Sequence, residues 1–345
     1  MPAILERVGI DGPGAVGGTS VQFSIENPDL GYQVVGINYH QDTPEGIKDR
    51  LAWDSMYGHW KHYKGAPDEI GVYGNKLLIN GQEIRTFGKG NIPDIPWEEV
   101  GAKIIIESAR VEDPAEAIKH IKPGGVERVI VSSSTKDGGN PEFVYGVNHK
   151  LYDPRRDRVI FASSCTTNCA ATTGFVLNRE FGMEFFSLEA IHALTSTDGT
   201  YDKVGGKPSI INNAVPESTG ASLALARILP ELAEVPNHVN AIRNETNTGS
   251  LLSVTAMLKK RTSVQEVIDA FKYAEQEILN GVICVEEGPV SAAYTRRLPF
   301  ASVIDESSIK LTGNGKFLHM RVGYDNVWGY TAQLARLTSY IAQNS

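Results

Sequence analysis

Strand-like and helix-like segments alternate along the first half of the chain. Val8-Gly9-Ile10 reads as a strand that runs into a glycine-rich turn, Thr19 to Ile25 as a weak helix, and Tyr32 to Asn38 as the next strand. Further strand-like runs lie at Lys103 to Glu107 and Arg128 to Ser132. Between them a helical stretch, Pro114 to Ile121, is closed by Pro123-Gly124-Gly125. Strands joined by helical crossovers build a parallel, doubly wound sheet. Turn residues on both sides of Lys76-Leu77-Leu78-Ile79 predict a hairpin that interrupts the pattern.

After residue 165 the texture changes. Ser187 to Thr195, Ser250 to Leu258 and Phe317 to Tyr324 predict longer strands, and helical periods run over Ala170 to Phe181, Gly220 to Leu229 and Val264 to Leu279. This is the pattern of a mixed α+β domain on a mainly antiparallel sheet. The expected division is an α/β domain over residues 1–164 and an α+β domain over 165–327, with a last helix within 328–345 folding back on the first.

Composition sets outer limits. The chain has 345 residues, 41% of them hydrophobic and 21% charged, which suits a soluble globular protein of two domains. A net charge of −8 argues against nucleic acid or an anionic membrane as partner. No apolar run is long enough to span a bilayer, and Met1 to Arg7 lacks the apolar core of a signal peptide. Three cysteines suit free thiols in a reducing compartment, so a cytoplasmic location is expected.

Candidate chemistry centres on Ser163-Ser164-Cys165-Thr166-Thr167-Asn168-Cys169. A thiol just ahead of a helix meets the positive end of the dipole and unpaired N–H groups, both of which favour the nucleophilic thiolate. His192, at the end of a strand-like run and followed by Thr195, Ser196 and Thr197, is a candidate base. An inert buried thiol and a structural histidine are the plainer readings. Gly12-Pro13-Gly14-Ala15-Val16-Gly17 fits the G-x-G-x-x-G turn of dinucleotide-binding folds, but no acidic residue ends the second strand, where Asn38-Tyr39-His40 stands. Ser218-Thr219-Gly220-Ala221 at a helix start is an anion seat or a plain N-cap. Arg243, in an apolar and small-residue region, calls for an anionic partner from the protein or from a substrate phosphate. Neither Cys165 with Cys169 nor His59 with His62 has further ligands at metal spacing, so no metal is expected.

Taken in order, these residues resemble the glyceraldehyde-3-phosphate dehydrogenase family over nearly the whole chain. The carrying motifs are Ser164-Cys165-Thr166-Thr167-Asn168-Cys169, His192-Ala193 and Ser218-Thr219-Gly220-Ala221, supported by Gly146-Val147-Asn148-His149, Pro230-Glu231-Leu232, Tyr324-Asp325-Asn326 and Gly329-Tyr330. The resemblance implies a Rossmann-type cofactor domain, a catalytic domain and a homotetramer in glycolysis-type chemistry. It implies Cys165 as nucleophile and His192 as base. Ser164, Thr166, Thr195, Thr219, Gly220 and Arg243 fall at the family's two phosphate-holding positions, which take a phosphorylated aldehyde and inorganic phosphate. Gly12, Gly14, Ala15, Val16, Tyr39, Ser108, Arg110, Ser132, Asn326 and Tyr330 fall at cofactor positions, for NAD or NADP.

The departures cluster at the cofactor. Ala15, Val16 and Gly18 stand where the family usually carries arginine, a β-branched residue and a second arginine; Tyr39 replaces the ribose-binding aspartate; and Arg110 stands where glycine is usual. The segment from His192 to Ser218 is shorter than the family's. Two expectations follow. Either the chain binds a dinucleotide through altered contacts, with Arg110 near the pyrophosphate, or it is a divergent homologue that performs acyl transfer without hydride transfer or serves as a binding scaffold.

Overall fold

The first sheet grows from short apolar strands. In the computed structural model, which describes residues 5–136, 138–195, 198–199, 201–202 and 208–345, β1 (Glu6–Asp11) leads into α1 (Ala15–Glu26) and β2 (Tyr32–Asn38). Next come α2 (Pro44–Ala52), a small hairpin of β3 (Trp53–Asp54) and β4 (Gly58–His59), and the antiparallel run β5 (Ile70–Tyr73), β6 (Lys76–Ile79) and β7 (Gln82–Phe87). Then follow β8 (Ile104–Glu107), α3 (Pro114–Ala117), β9 (Arg128–Val131) and β10 (Val159–Phe161). The sheet order is β10-β9-β8-β1-β2-β7-β6-β5. Every pair from β10 to β7 is parallel, and the edge hairpin is antiparallel. Parallel strands covered on both faces read as nearly continuous apolar runs, and Ile104 to Ile106 and Val129 to Val131 are buried without alternation.

In the second half, α4 (Cys165–Phe181) precedes β11 (Met183–His192), β12 (Val215–Ser218), α5 (Ala221–Ile228), β13 (Asn237–Arg243) and β14 (Ser250–Leu258). These are followed by α6 (Val264–Tyr273), β15 (Ile283–Glu286), β16 (Ser302–Asp305), β17 (Lys310–Thr312), β18 (Phe317–Tyr324) and α7 (Trp328–Gln343). The sheet runs β12-β13-β11-β14-β18-β16-β15, with β17 beside β18. It is antiparallel except for the β11–β13 and β15–β16 pairs. One face is buried: burial alternates at every position of β14, the signature of a sheet with one covered side. Cys169, Ala170, Ala171 and Leu177 of α4 join Leu188, Leu252, Val254 and Met320 in that core.

The chain divides into two compact units. The first comprises Met1–Phe143, His149–Ser163 and Leu334–Ser345; the second comprises Val144–Asn148 and Ser164–Gln333.

Several elements differ from the expected ones. α1 starts at Ala15, not Thr19; it is buried on nearly all sides from Thr19 to Ser24, and most of those buried residues are small or polar, so no apolar stripe marks its start. α4 starts at Cys165, not Ala170. Ser164 is its N-cap and accepts a hydrogen bond from Thr167 N at 3.1 Å. The strand expected to reach Thr195 ends at His192, after which Leu194 N bonds to Thr246 O and Thr195 N turns to Asp198. The helix expected to run to Leu279 changes at Ala274 to a wider π-turn through Ile278.

Candidate active site

Helix α4 and strand β11 bring the thiol and the imidazole together. Cys165 is the first residue of α4 and is half-buried; His192 is the last residue of β11 and is buried. Cys165 Sγ lies 3.2 Å from His192 Nε2. Register sets what stands on the other side of the ring: in the parallel β11–β13 pair, His192 faces Arg243. Arg243 Nη1 contacts His192 Nδ1 and donates to the Ala193 carbonyl at 3.1 Å. The same carbonyl lies 2.6 Å from Nδ1; in the tautomer that donates to it, Nε2 keeps a lone pair facing the thiol.

The charge state differs from the one expected at a bare helix terminus. Burial pushes the Cys165 thiol up, against the smaller opposing pull of Arg243 and the Thr166 N–H. Burial, helped by the Arg243 cation, pushes His192 down to about 4. Desolvation of both charged forms outweighs the helix dipole. Burial thus works against both the thiolate and the imidazolium of this pair.

The other polar candidates surround this pair unequally. Ser164 Oγ caps α4, and Thr166 Oγ1 lies 3.0 Å from Tyr324 OH, whose ring meets His192 edge-on at 6.1 Å. Thr195 Oγ1 donates to Asp198 at 3.0 Å, and Arg243 Nε pairs with Glu217 at 2.6 Å. Thr219 and Gly220 lie at the junction of β12 and α5, where Thr219 Oγ1 accepts from Ala221 N at 3.2 Å. Ser196, Thr197, Thr200 and residues 203–207, within the segment expected to be short, lie outside the described residues. Asn326 is buried, with Oδ1 accepting from Gly249 N at 3.0 Å, and Tyr330 is buried on α7. Cys169 sits in the core with Sγ 3.5 Å from Ser302 Oγ.

The glycine turn lies in the first unit and is built by close approach. Gly12 has φ +85°, and a Cβ there would stand 2.6 Å from the Ala109 backbone; a Cβ at Gly17 would stand 2.2 Å from the Gly12 carbonyl. Ser108 Oγ shares its proton between the Asp11 and Gly12 carbonyls at 2.9 and 2.8 Å. The start of α1 is open: Gly14 is its N-cap with no side-chain cap, a Cβ at Gly14 would meet nothing within 4 Å, and no acid occupies the first turn. Ala15 is exposed there and Val16 is half-buried. Free N–H groups, empty space and no competing anion fit a pyrophosphate. At the end of β2, the Tyr39 ring carries the Arg50 guanidinium 5.3 Å from its centroid, and Arg50 pairs with Asp42 at 2.9 Å. Arg110 is exposed, with φ +70°. Ser132 N bonds to the Glu107 carbonyl at 2.9 Å.

Beneath the turn lies a buried network that no local spacing announces. Asp11, Glu107 and His120 place their polar atoms within 4.8 Å of one another. The Trp97 indole N–H donates to His120 Nδ1 at 3.1 Å. The other ring nitrogen therefore carries the proton and donates to Glu107 at 3.0 Å. Asn38 donates to Asp11 at 2.9 Å and Ala109 N to Glu107 at 2.6 Å. The three side chains are thus engaged in mutual hydrogen bonds. Burial, then the Glu107 charge, raises Asp11 from 3.8 to about 6. Burial raises Glu107 to about 7 and lowers His120 to about 4. Because folding raises the Asp11 pKa, the stability penalty is absent below the unfolded value. It grows as pH rises from about 4 to about 6 and is complete above that. Asp11→Asn imitates the protonated acid and is expected to stabilise the protein by about 1–3 kcal/mol near pH 8, with the gain vanishing near pH 4. Melting temperatures across that range check it; a variant less stable at both ends would contradict it.

Residues 164–326 match the family described as glyceraldehyde 3-phosphate dehydrogenase, C-terminal domain, and residues 6–112 match its NAD binding domain. Among curated proteins, the chain is 31% identical to the cytosolic glyceraldehyde-3-phosphate dehydrogenase of Chlamydomonas reinhardtii, over 98% of this chain and 97% of that one. It is 31% identical to the Geobacillus stearothermophilus glyceraldehyde-3-phosphate dehydrogenase, over 97% and 98%. It is 33% identical to that of Bacteroides fragilis (strain YCH46), over 97% and 99%.

Proposed function

This chain belongs to the glyceraldehyde-3-phosphate dehydrogenase family, and from that premise we propose the roles of its residues in a phosphorylating aldehyde dehydrogenase that uses NAD. The observation that carries the proposal is the 3.2 Å contact between Cys165 Sγ and His192 Nε2 at the first turn of α4.

Cys165 Sγ attacks the aldehyde carbon. As the S–C bond forms, the carbonyl π pair moves to oxygen and the thiol proton moves to Nε2. The imidazolium is held at high energy by burial and by Arg243, so it readily returns the proton to the new alkoxide. NAD held at the α1 start would supply the hydride acceptor for this carbon. Nε2 takes the hydroxyl proton back as the carbonyl re-forms, leaving a thioester on Cys165. A phosphate oxygen then attacks the thioester carbon, the S–C bond breaks with its pair returning to sulfur, and Nε2 reprotonates the thiolate. Ser164, Thr166, Thr195, Thr219, Gly220 and Arg243 hold the phosphate groups in this reading. The open start of α1 holds the pyrophosphate, and Asn326 and Tyr330 orient the nicotinamide.

Because Tyr39 stands where an acidic residue would repel a 2′-phosphate, the reading extends to NADP. It also includes a homotetramer and a cytoplasmic setting; no helix among the described residues is long and apolar enough to cross a membrane. NAD reduction by purified protein with glyceraldehyde 3-phosphate, dependent on inorganic phosphate, tests the function. No reduction under those conditions would reject it in favour of acyl transfer or a scaffold.

Arg110 gives a prediction with two readouts. Its φ of +70° is strained for a residue with a Cβ. Arg110→Gly is therefore expected to raise stability by about 1 kcal/mol. It is also expected to weaken NAD about fivefold by removing a cation near the pyrophosphate. Calorimetric titration and thermal melts separate the two; unchanged NAD affinity would remove Arg110 from the cofactor site.

A further inference from the structure

Two of the candidate phosphate-holding groups, Arg243 and Thr195, are each engaged by a carboxylate of the chain itself. Arg243 closes β13, and Glu217 sits on β12, opposite Ala241 in the antiparallel pair. The two side chains are therefore diagonal neighbours on one face. Arg243 Nε and Glu217 Oε2 are 2.6 Å apart, with side chains only 19% and 27% exposed. Thr195 is held in the same manner, with Asp198 Oδ2 accepting from its N–H at 2.6 Å and from its hydroxyl at 3.0 Å. The remaining hydroxyl candidates meet neutral partners: Thr167 N–H for Ser164, Tyr324 OH for Thr166 and Ala221 N–H for Thr219.

We propose that Glu217 is a specificity residue, a built-in carboxylate that a phosphate group, on the aldehyde or free, must displace from Arg243. The inference rests on the dehydrogenase reading for the identity of the phosphate. A phosphate dianion approaching Arg243 meets a guanidinium whose charge is already balanced and a carboxylate that repels it, and both effects are strengthened by partial burial. Glu217 therefore lowers the affinity of this seat for phosphate and narrows the advantage of phosphorylated over unphosphorylated aldehydes. It acts through Arg243, so its main effect belongs in KM, with a smaller one on kcat because the same carboxylate holds His192 slightly up.

Glu217→Gln keeps the shape and removes the charge. Calorimetric titration of the full protein with inorganic phosphate is expected to show about tenfold tighter binding in the variant. Adding Arg243→Gln is expected to abolish the gain. In turnover, a fall in KM for glyceraldehyde 3-phosphate assigns the seat to the aldehyde's phosphate, and a fall in KM for inorganic phosphate assigns it to the free ion. KM for unphosphorylated glyceraldehyde stays unchanged in either case. Unchanged phosphate affinity in Glu217→Gln, or a gain that survives Arg243→Gln, overturns the inference. Glu217→Ser gives the same reading should the glutamine variant not fold. Tighter phosphate binding without NAD reduction by the wild type would reject the dehydrogenase reading and keep the charge displacement. NAD reduction with unchanged phosphate affinity would do the reverse.

Discussion

Cys165→Ser is expected to lower kcat for NAD reduction by at least about ten-thousand-fold, with melting temperature nearly unchanged. Serine fits the first turn of α4, whose N-cap bond from Thr167 N to Ser164 Oγ does not involve residue 165. What is lost is the nucleophile. A hydroxyl is far harder to deprotonate than a thiol, and His192, already pushed down to about 4 by burial and by Arg243, is too weak a base to make up the difference. The wild-type thiol is itself pushed up by burial, so its alkylation by iodoacetamide should speed up as pH rises into the alkaline range. Steady-state rates, melts and alkylation of wild type and variant check this together. A serine variant that kept more than about a hundredth of the activity would remove Cys165 from the covalent step.

His192→Asn is expected to lower kcat by about a hundred- to ten-thousand-fold, the range of a lost general acid–base. Asparagine retains a polar side chain but has no nitrogen to receive the thiol proton. The pH dependence carries a second signature. His192 stays neutral down to about 4 in the folded protein, so the acid limb of kcat/KM should lie well below the ordinary histidine range. The same shift has a stability sign. The folded pKa is depressed below the unfolded value, so His192 destabilises the fold increasingly as pH falls from about 6.5 to about 4. His192→Asn should therefore flatten the acid side of both profiles. An acid limb near about pH 6.5 that survived the substitution would assign it to another group.

Much of the fold is written in local pattern. Tyr32–Asn38, Ser250–Leu258 and Phe317–Tyr324 are strands at the boundaries the sequence predicts: the first is a nearly continuous buried run, and burial follows the strand period through the second and most of the third. The start of α4 is not legible in hydropathy. Thr166, Thr167 and Asn168 are buried though polar, and Thr172 turns its hydroxyl back to the Asn168 carbonyl at 2.9 Å. The capping serine ahead of Cys165 is the one local signal for it. β13 escapes for a related reason: its burial alternates, but the inward positions start with polar Asn237 and only Ala241 is fully buried, so the hydropathy of the strand does not show the period.

That omission hides how Arg243 comes to lie beside His192. The pair is made by strand register across 50 intervening residues, which no spacing rule encodes. The same holds for Glu217 on its diagonal and for the Asp11–Glu107–His120 network, gathered from two strand ends and a distant turn. The protonation state of Cys165 follows this logic. The local argument from the helix dipole favours the thiolate, whereas tertiary burial, visible only in the folded chain, pushes the thiol up.

Rapid-quench mass spectrometry, with glyceraldehyde 3-phosphate and NAD supplied and inorganic phosphate withheld, tests the covalent role of Cys165 most directly. The expected result is one acyl group per chain on the Cys165 peptide, one equivalent of reduced nicotinamide, and loss of the acyl group when phosphate is added. Reduced nicotinamide formed while Cys165 stays unmodified would contradict the account.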